Sequence, residues 1–215
     1  MQDFTIVTGM IIGAVPIGEY DRRLVLLTKE KGKITAFARG ARKPNSRFVA
    51  STNLFCFGTF KLYVGRDSYT LSETEISNYF EELRMDFEGA YYGMYFLEIA
   101  DYYTRENNDE REMLKLLYQS LRALLHPTLK NQLVRAVYEI KSVVINGEFP
   151  GVSSESGYLE STKFTIDYIV DSSIEKLYTF IVTDEVLTEL KSIGDWTRKN
   201  CLPGRFKSLE ILDTL

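Results

Sequence analysis

Residues 18–48 read GEYDRRLVLLTKEKGKITAFARGARKPNSRF, and this stretch decides the fold. Two strand-like runs, Arg23–Lys29 with its apolar Leu24–Leu27 and the alternating Lys33–Arg39, flank Glu30-Lys31-Gly32, a tight-turn signal. A loop, Gly40–Ser51, follows; it holds Gly, Pro, Asn and Ser and has no hydrophobic period. In the second run Ile34, Ala36 and Ala38 share one face and read as core. Lys33, Thr35, Phe37 and Arg39 share the other, an aromatic ring between two cations. Between Arg22 and Arg47 stand nine basic residues and a single acid, Glu30. The whole chain has 26 basic and 30 acidic residues, so outside this stretch 17 bases face 29 acids. A chain acidic elsewhere has gathered positive charge in one place, the footprint of a surface for a polyanion.

The stretch lies within a strand-rich N-terminal part. Phe4–Val15 is rich in β-branched residues and ends at Pro16 and Gly18. Leu54–Val64 and Tyr69–Ile76 are further strands around a turn at Gly65-Arg66-Asp67. Five strands in about 75 residues, with no helical period between them, predict a small closed barrel of the OB type. In the fourth strand Leu54, Cys56, Phe60 and Leu62 read as core. Phe55, Phe57, Lys61 and Tyr63 then share the opposite face, either stacking bases or packing against a second domain, and Gly58 can mark a bulge that shifts the phase.

From about Glu81 the hydrophobic period changes from two to 3.6. Phe87, Ala90, Tyr91, Met94 and Leu97 give one helical face; Met113, Leu116, Leu117, Leu121 and Leu124 a second; Leu133, Val137, Ile140 and Val144 a third, closed by Asn146-Gly147. A loop without period runs to Gly157. Thr162–Val170 alternates and reads as a strand or hairpin arm, and Ile174–Val182 and Asp184–Lys199 return to helix. Leu202-Pro203-Gly204 ends the last of these before a short tail. The fold class is α+β: an OB-fold barrel over 1–80, then a helical domain over 81–215 with a hairpin-like insertion at about 148–172.

Composition narrows the chemistry. Length and 45% hydrophobic content describe an ordered globular chain. Two distant cysteines, Cys56 and Cys201, and one histidine, His126, cannot complete a four-ligand zinc site, and the cysteines read as reduced thiols of a cytoplasmic protein. The apolar N-terminus is too short and interrupted for a membrane span. There is no GxxxxGK[ST], no GxGxxG after a strand, no GxSxG and no HExxH. His126 stands before Pro127 at a helix end, and Glu81-Glu82, Asp109-Glu110 and Glu112 lie on polar helix faces. The chain therefore reads as a binding protein with no catalytic residues. Its rivals are an OB-type RNA-binding module, or a nuclease or nucleotidyl transferase using carboxylates and Mg²⁺.

The stretch 18–48 also resembles the N-terminal signature of the RecO family of bacterial recombination mediators. There a G-E-x-D-R turn leads to a strand, a K-G-K turn and an A-R-G-x-R…S-R-F loop. The resemblance continues in GRDSYTLSETEI (65–76), in YEIKSVVINGEFP (138–150) and in FKSLEIL (206–212). It implies an OB-fold followed by a helical domain, and a cytoplasmic, nucleoid-associated protein. It implies binding of single- and double-stranded DNA, strand annealing, and assistance in loading RecA onto single-stranded DNA coated by single-strand-binding protein (SSB). The implied partners are RecR and the acidic-apolar C-terminal tail of SSB. By position, Arg22, Arg23, Lys33, Arg39, Arg42, Lys43 and Arg47 are then nucleic-acid contacts; Phe37, set between cations on its strand face, independently reads as stacking a base. The resemblance does not locate the tail pocket residue by residue; a groove with a cation on the second or third helix (Lys115, Arg122, Arg135 or Lys141) is one place for it. Many family members carry a four-cysteine zinc module after the G-Y-x-P segment; here Gly151–Asp171 holds neither cysteine nor histidine, so no zinc and no other cofactor is expected.

Overall fold

A computed structural model describes residues 3–66, 68–153 and 157–214. Asp67, in the turn read between the fourth and fifth strands, and residues 154–156 of the loop before Gly157 lie outside the described residues. Cα proximity divides the chain into two units. One runs to Glu81 and adds Ala100–Leu114; the other takes Glu82–Ile99 and everything from Lys115.

In the first unit β1 (Phe4–Ile17), β2 (Asp21–Thr28), β3 (Gly32–Ala38), β4 (Phe57–Val64) and β5 (Tyr69–Asn78) close a barrel in the order β1-β2-β3-β5-β4. Closure rests on the length of β1, whose first half pairs with β4 and whose second half pairs with β2. The barrel interior is filled by Val7, Ile11, Leu24, Leu26, Ile34, Ala36, Ala38, Phe60, Leu62 and Leu71, in the inside-outside alternation the sequence carries. The bulge that Gly58 suggests is present as a register shift between Phe57 and Gly58 against β5.

The connection from Gly40 to Cys56 differs from a flexible segment. Ala41, Phe48, Phe55 and Cys56 are buried, and successive turns tie the connection together through Lys43 N–H to Gly40 O, Ser46 N–H to Lys43 O and Val49 N–H to Ser46 O. It closes one end of the barrel. Strand β4 begins only at Phe57, because Phe55 takes a left-handed backbone conformation (φ 71°) and donates its N–H to Ile11 O. That corrects the fourth-strand alternation: Phe55 points into the core, while Phe57, Lys61 and Tyr63 remain half-buried on the outer side.

The turn between β2 and β3 is braced from outside. Lys33 N–H donates to Arg105 O, Asn107 N–H donates to Lys31 O, and Gly32 pairs with Glu106. Gly32 has φ 65°, and a Cβ there would stand 2.3 Å from Arg105 O, so only glycine fits.

The helices are α1 (Glu81–Met85), α2 (Phe87–Tyr103), α3 (Arg111–Leu124), α4 (Asn131–Ile145), α5 (Glu160–Asp171), α6 (Asp184–Cys201) and α7 (Lys207–Leu212). In α3 the expected face is buried throughout, and α4 ends at Asn146-Gly147 with the glycine at φ 72°. The face read for α2 is rotated. Tyr92, Tyr95, Phe96 and Ile99 are buried, whereas Phe87 is 63% exposed; apolar residues surround this helix, so the pattern does not single out one side. In the second unit Phe96 stacks on Tyr138 at 4.2 Å, and the Tyr138 hydroxyl donates to Phe96 O.

Two expectations fail between α4 and α6. Thr162–Val170 is not a hairpin arm but most of α5. Its β-branched alternation coexists with a 3.6-residue set, Thr162, Thr165, Ile166 and Ile169, which is buried, while Phe164 is left 72% exposed. Packing of that set decides for helix. Ile174–Val182 forms one 3₁₀ turn, Ile174–Lys176, and then an irregular connection; Thr179, Ile181, Val182 and Thr183 are weak helix formers. Thr183 starts α6 by accepting from Val186 N–H. Among the described residues no helix is long and apolar enough to cross a membrane.

Candidate nucleic-acid interface

Strand pairing sets the geometry of the basic stretch. Arg23 lies directly opposite Phe37 across β2 and β3, Phe37 opposite Thr70 on β5, and Thr70 opposite Tyr63 on β4. These four form one outward row, since the flanking Leu24, Ala36, Ala38, Leu62 and Leu71 all point inward. Phe37 is half-buried within the row, and Arg39 follows it two residues on. Arg47 reaches the same region from the connection, its guanidinium donating to Ser72 O on β5 and lying 4.8 Å from the Phe48 ring centroid.

The remaining cations of this end gather at the β1–β2 turn. Asp21 accepts the Gly40 N–H at 2.7 Å, and Arg42 donates its N–H to Tyr20 O at 2.8 Å, which fixes the start of the basic loop to the hairpin tip. The Arg42 side chain touches the carbonyls of Gly18 and Glu19, and Lys43 Nζ lies 5.6 Å from the Tyr20 ring centroid. Arg23, Arg39, Arg42, Lys43 and Arg47 are all exposed, and none forms an ion pair among the described residues. They are therefore available to phosphates.

Arg22 and Lys33 are placed differently. Arg22 is half-buried and donates from Nη1 to Thr52 O, Thr52 Oγ1 and Asn53 Oδ1 at 2.9–3.0 Å, holding the connection against β2. Burial, and then the charge of Arg42, lower its pKa. Lys33 Nζ is bound to Asp101 Oδ1 at 2.9 Å and to Asp101 O at 2.6 Å. It stands four residues from Phe37, about 13 Å along the strand, at the braced turn with Lys29 and Lys31. Apart from Arg22, which is bonded internally, the cations thus divide into a phosphate-accessible group of five around Phe37 and a group of three, Lys29, Lys31 and Lys33, at the opposite end of the hairpin.

Two expected results separate these roles. Lys33→Ala should leave oligonucleotide affinity and its salt slope unchanged in an anisotropy titration. Phe37→Ala should weaken single-strand affinity by about 1–3 kcal/mol while the barrel still melts cooperatively, if the ring stacks a base.

Other ionisable groups among the described residues lie elsewhere. The most buried ionisable cluster, in the second unit, joins helices: Glu139 accepts from the Tyr95 hydroxyl at 2.6 Å and from Arg135 Nε at 3.0 Å, and Arg135 also pairs with Asp195. Burial raises the Glu139 pKa, opposed by Arg135 and Tyr95. Lys141 is buried and donates to the carbonyls of Ile169, Val170 and Ser172 at 2.8–3.0 Å. Lys115 pairs with Glu175 at 2.9 Å, and Arg122 is exposed on α3. Among the described residues no group of three or more His, Cys, Asp or Glu side chains is placed to hold a metal ion. Residues 151–171 offer no thiol or imidazole, and the last turn of α5 is capped by the Lys141 ammonium.

A closed five-stranded barrel with a cationic, aromatic-centred outer face, followed by helices, defines an OB-fold protein with a helical C-terminal region. Comparison with known families agrees in both halves. Residues 1–80 match the family model for the recombination protein O N terminal, and residues 84–158 match that for the recombination protein O C terminal. The chain belongs to the RecO family. It is similar to the DNA repair protein RecO of Acetivibrio thermocellus, 29% identical over 240 aligned residues covering 97% of this chain and 96% of that one. It is similar also to the DNA repair protein RecO of Clostridium novyi, 26% identical over 227 residues (92% and 89%), and to that of Symbiobacterium thermophilum, 34% identical over 148 residues (69% and 58%).

Nothing in the sequence marks Arg22 and Lys33 as internally bonded, because their partners lie 30 and 68 residues away. Tyr20 has no period or motif of its own, and only the position of Lys43 against its ring brings it forward.

Proposed function

We propose that this chain is a non-enzymatic DNA-binding mediator of repair and recombination that holds DNA strands on the barrel end built by Arg23, Phe37, Arg39, Arg42, Lys43 and Arg47. The observation that carries the reading is the gathering of five exposed cations around one half-buried ring in a chain whose remainder is acidic. Such a surface neutralises phosphates without reading sequence, and an aromatic platform accepts any base. Two complementary strands held this way repel each other less, and base pairing supplies the drive for annealing without any bond chemistry.

Family membership supports a role in loading RecA onto DNA coated by single-strand-binding protein, with RecR as partner and the C-terminal tail of that protein as docking signal. Of the four cations considered for the tail, Lys141 is buried among carbonyls, Arg135 is engaged by Glu139 and Asp195, and Lys115 pairs with Glu175, which makes exposed Arg122 the better candidate. The absence of thiols and imidazoles from 151–171 supports function without zinc.

The test is annealing of two labelled complementary oligonucleotides. Wild-type protein should accelerate it in the presence of chelator, and a competing RNA strand should displace DNA poorly. Equal displacement by RNA would favour an RNA-binding module, and Mg²⁺-dependent shortening of the label would overturn the non-enzymatic reading.

A further inference from the structure

Tyr20 occupies the tip of the β1–β2 hairpin, 40% exposed although Lys43 Nζ lies 5.6 Å from its ring centroid. It contributes nothing to the barrel core. The tip is nonetheless held in place: Arg42 N–H on Tyr20 O and Gly40 N–H on Asp21 both tie it to the start of the basic loop. A large ring is thus displayed on a pinned turn, with Arg42 and Lys43 beside it. An exposed ring with cations on a fixed scaffold is what a nucleobase stacks on, while the cations take the adjoining phosphates. In a duplex each base face is covered by its neighbours, so a protruding ring finds a partner only on an unpaired strand.

We propose that Tyr20 is a second base-stacking residue, close to the Phe37 platform, and that it makes this surface prefer unpaired strands over duplex. The inference rests on the proposed nucleic-acid reading and specifies its substrate form. Arg22 pairs with Ala38 across β2 and β3, which places Tyr20 two residues beyond a position adjacent to Phe37.

The experiment titrates wild type, Tyr20→Leu and Tyr20→Phe with a fluorescent single-stranded oligonucleotide, an abasic strand of equal length and the corresponding duplex, each at several salt concentrations. Tyr20→Leu keeps apolar bulk beside Lys43 and removes the ring. It should weaken binding of the base-bearing single strand by roughly 5- to 150-fold, and leave the abasic strand, the duplex and every salt slope as in wild type. Tyr20→Phe should restore wild-type affinity. Equal loss on the abasic strand, or no loss on the base-bearing one, would overturn the assignment. A salt slope near zero for wild type on the abasic strand would instead overturn the cationic reading beneath it, a failure visible where Tyr20 has no part.

Discussion

Replacing Arg42 and Lys43 together by glutamate is expected to weaken binding of single-stranded DNA by about 25-fold or more at 0.1 M salt, and to make the logarithmic salt slope shallower by about 1.4. Both figures follow from losing two phosphate contacts on a single strand, each contributing about 0.7 to the slope; the introduced carboxylates add repulsion to the lost attraction. The fold should tolerate the change. Both side chains are exposed: Arg42 donates to the carbonyls of Gly18 and Glu19, and Lys43 lies by the ring of Tyr20. Thermal melting of the double variant should therefore match wild type, and anisotropy across salt should show the shallower slope. A variant that melts normally and keeps the full slope would remove this loop from the interface.

A substantial loss of stability is expected on replacing Lys141. Its ammonium is buried and donates to three carbonyls, of Ile169, Val170 and Ser172, at the C-terminal end of α5. Unpaired carbonyls at a helix C-terminus carry partial negative charge, and a buried cation there is favoured by both hydrogen bonding and the helix dipole. Lys141→Met keeps the stem and removes the charge, leaving those acceptors without their donor. The cost should be about 2–3 kcal/mol, which for a chain of this size lowers the melting temperature by roughly 5–10 °C. Because the cap is an ammonium in this chain, chelators should leave the melting curve of wild type unchanged. A chelator-sensitive transition would show that metal, not Lys141, organises this region.

The barrel is readable from the chain because its strands alternate cleanly: Ile34, Ala36 and Ala38 inside, Lys33, Thr35 and Phe37 outside. The cationic stretch is equally readable, being a matter of composition from Arg22 to Arg47. What escapes is whatever depends on distant partners. Lys33 carries the same charge as Arg39, yet Asp101 of α2 binds it, and no local pattern reveals a partner so far along the chain. The Gly40–Cys56 connection looks unstructured because its buried residues, Ala41, Phe48 and Phe55, follow no period; each fills a separate gap at the barrel end. In α5 two periods compete in one short run, and Thr162, Phe164, Ile166, Tyr168 and Val170 satisfy the strand pattern perfectly well. Burial against other helices selects the set Thr162, Thr165, Ile166 and Ile169 instead.

The most direct measurement is the salt dependence of wild-type binding to a single-stranded oligonucleotide by fluorescence anisotropy. Five exposed cations acting on phosphates predict a slope of about −3.5 in log affinity against log salt, collapsing toward zero when Arg23, Arg39, Arg42, Lys43 and Arg47 are neutralised together in a protein that still folds. A slope that survives their neutralisation would contradict the account, because the strand would then be held elsewhere on the molecule.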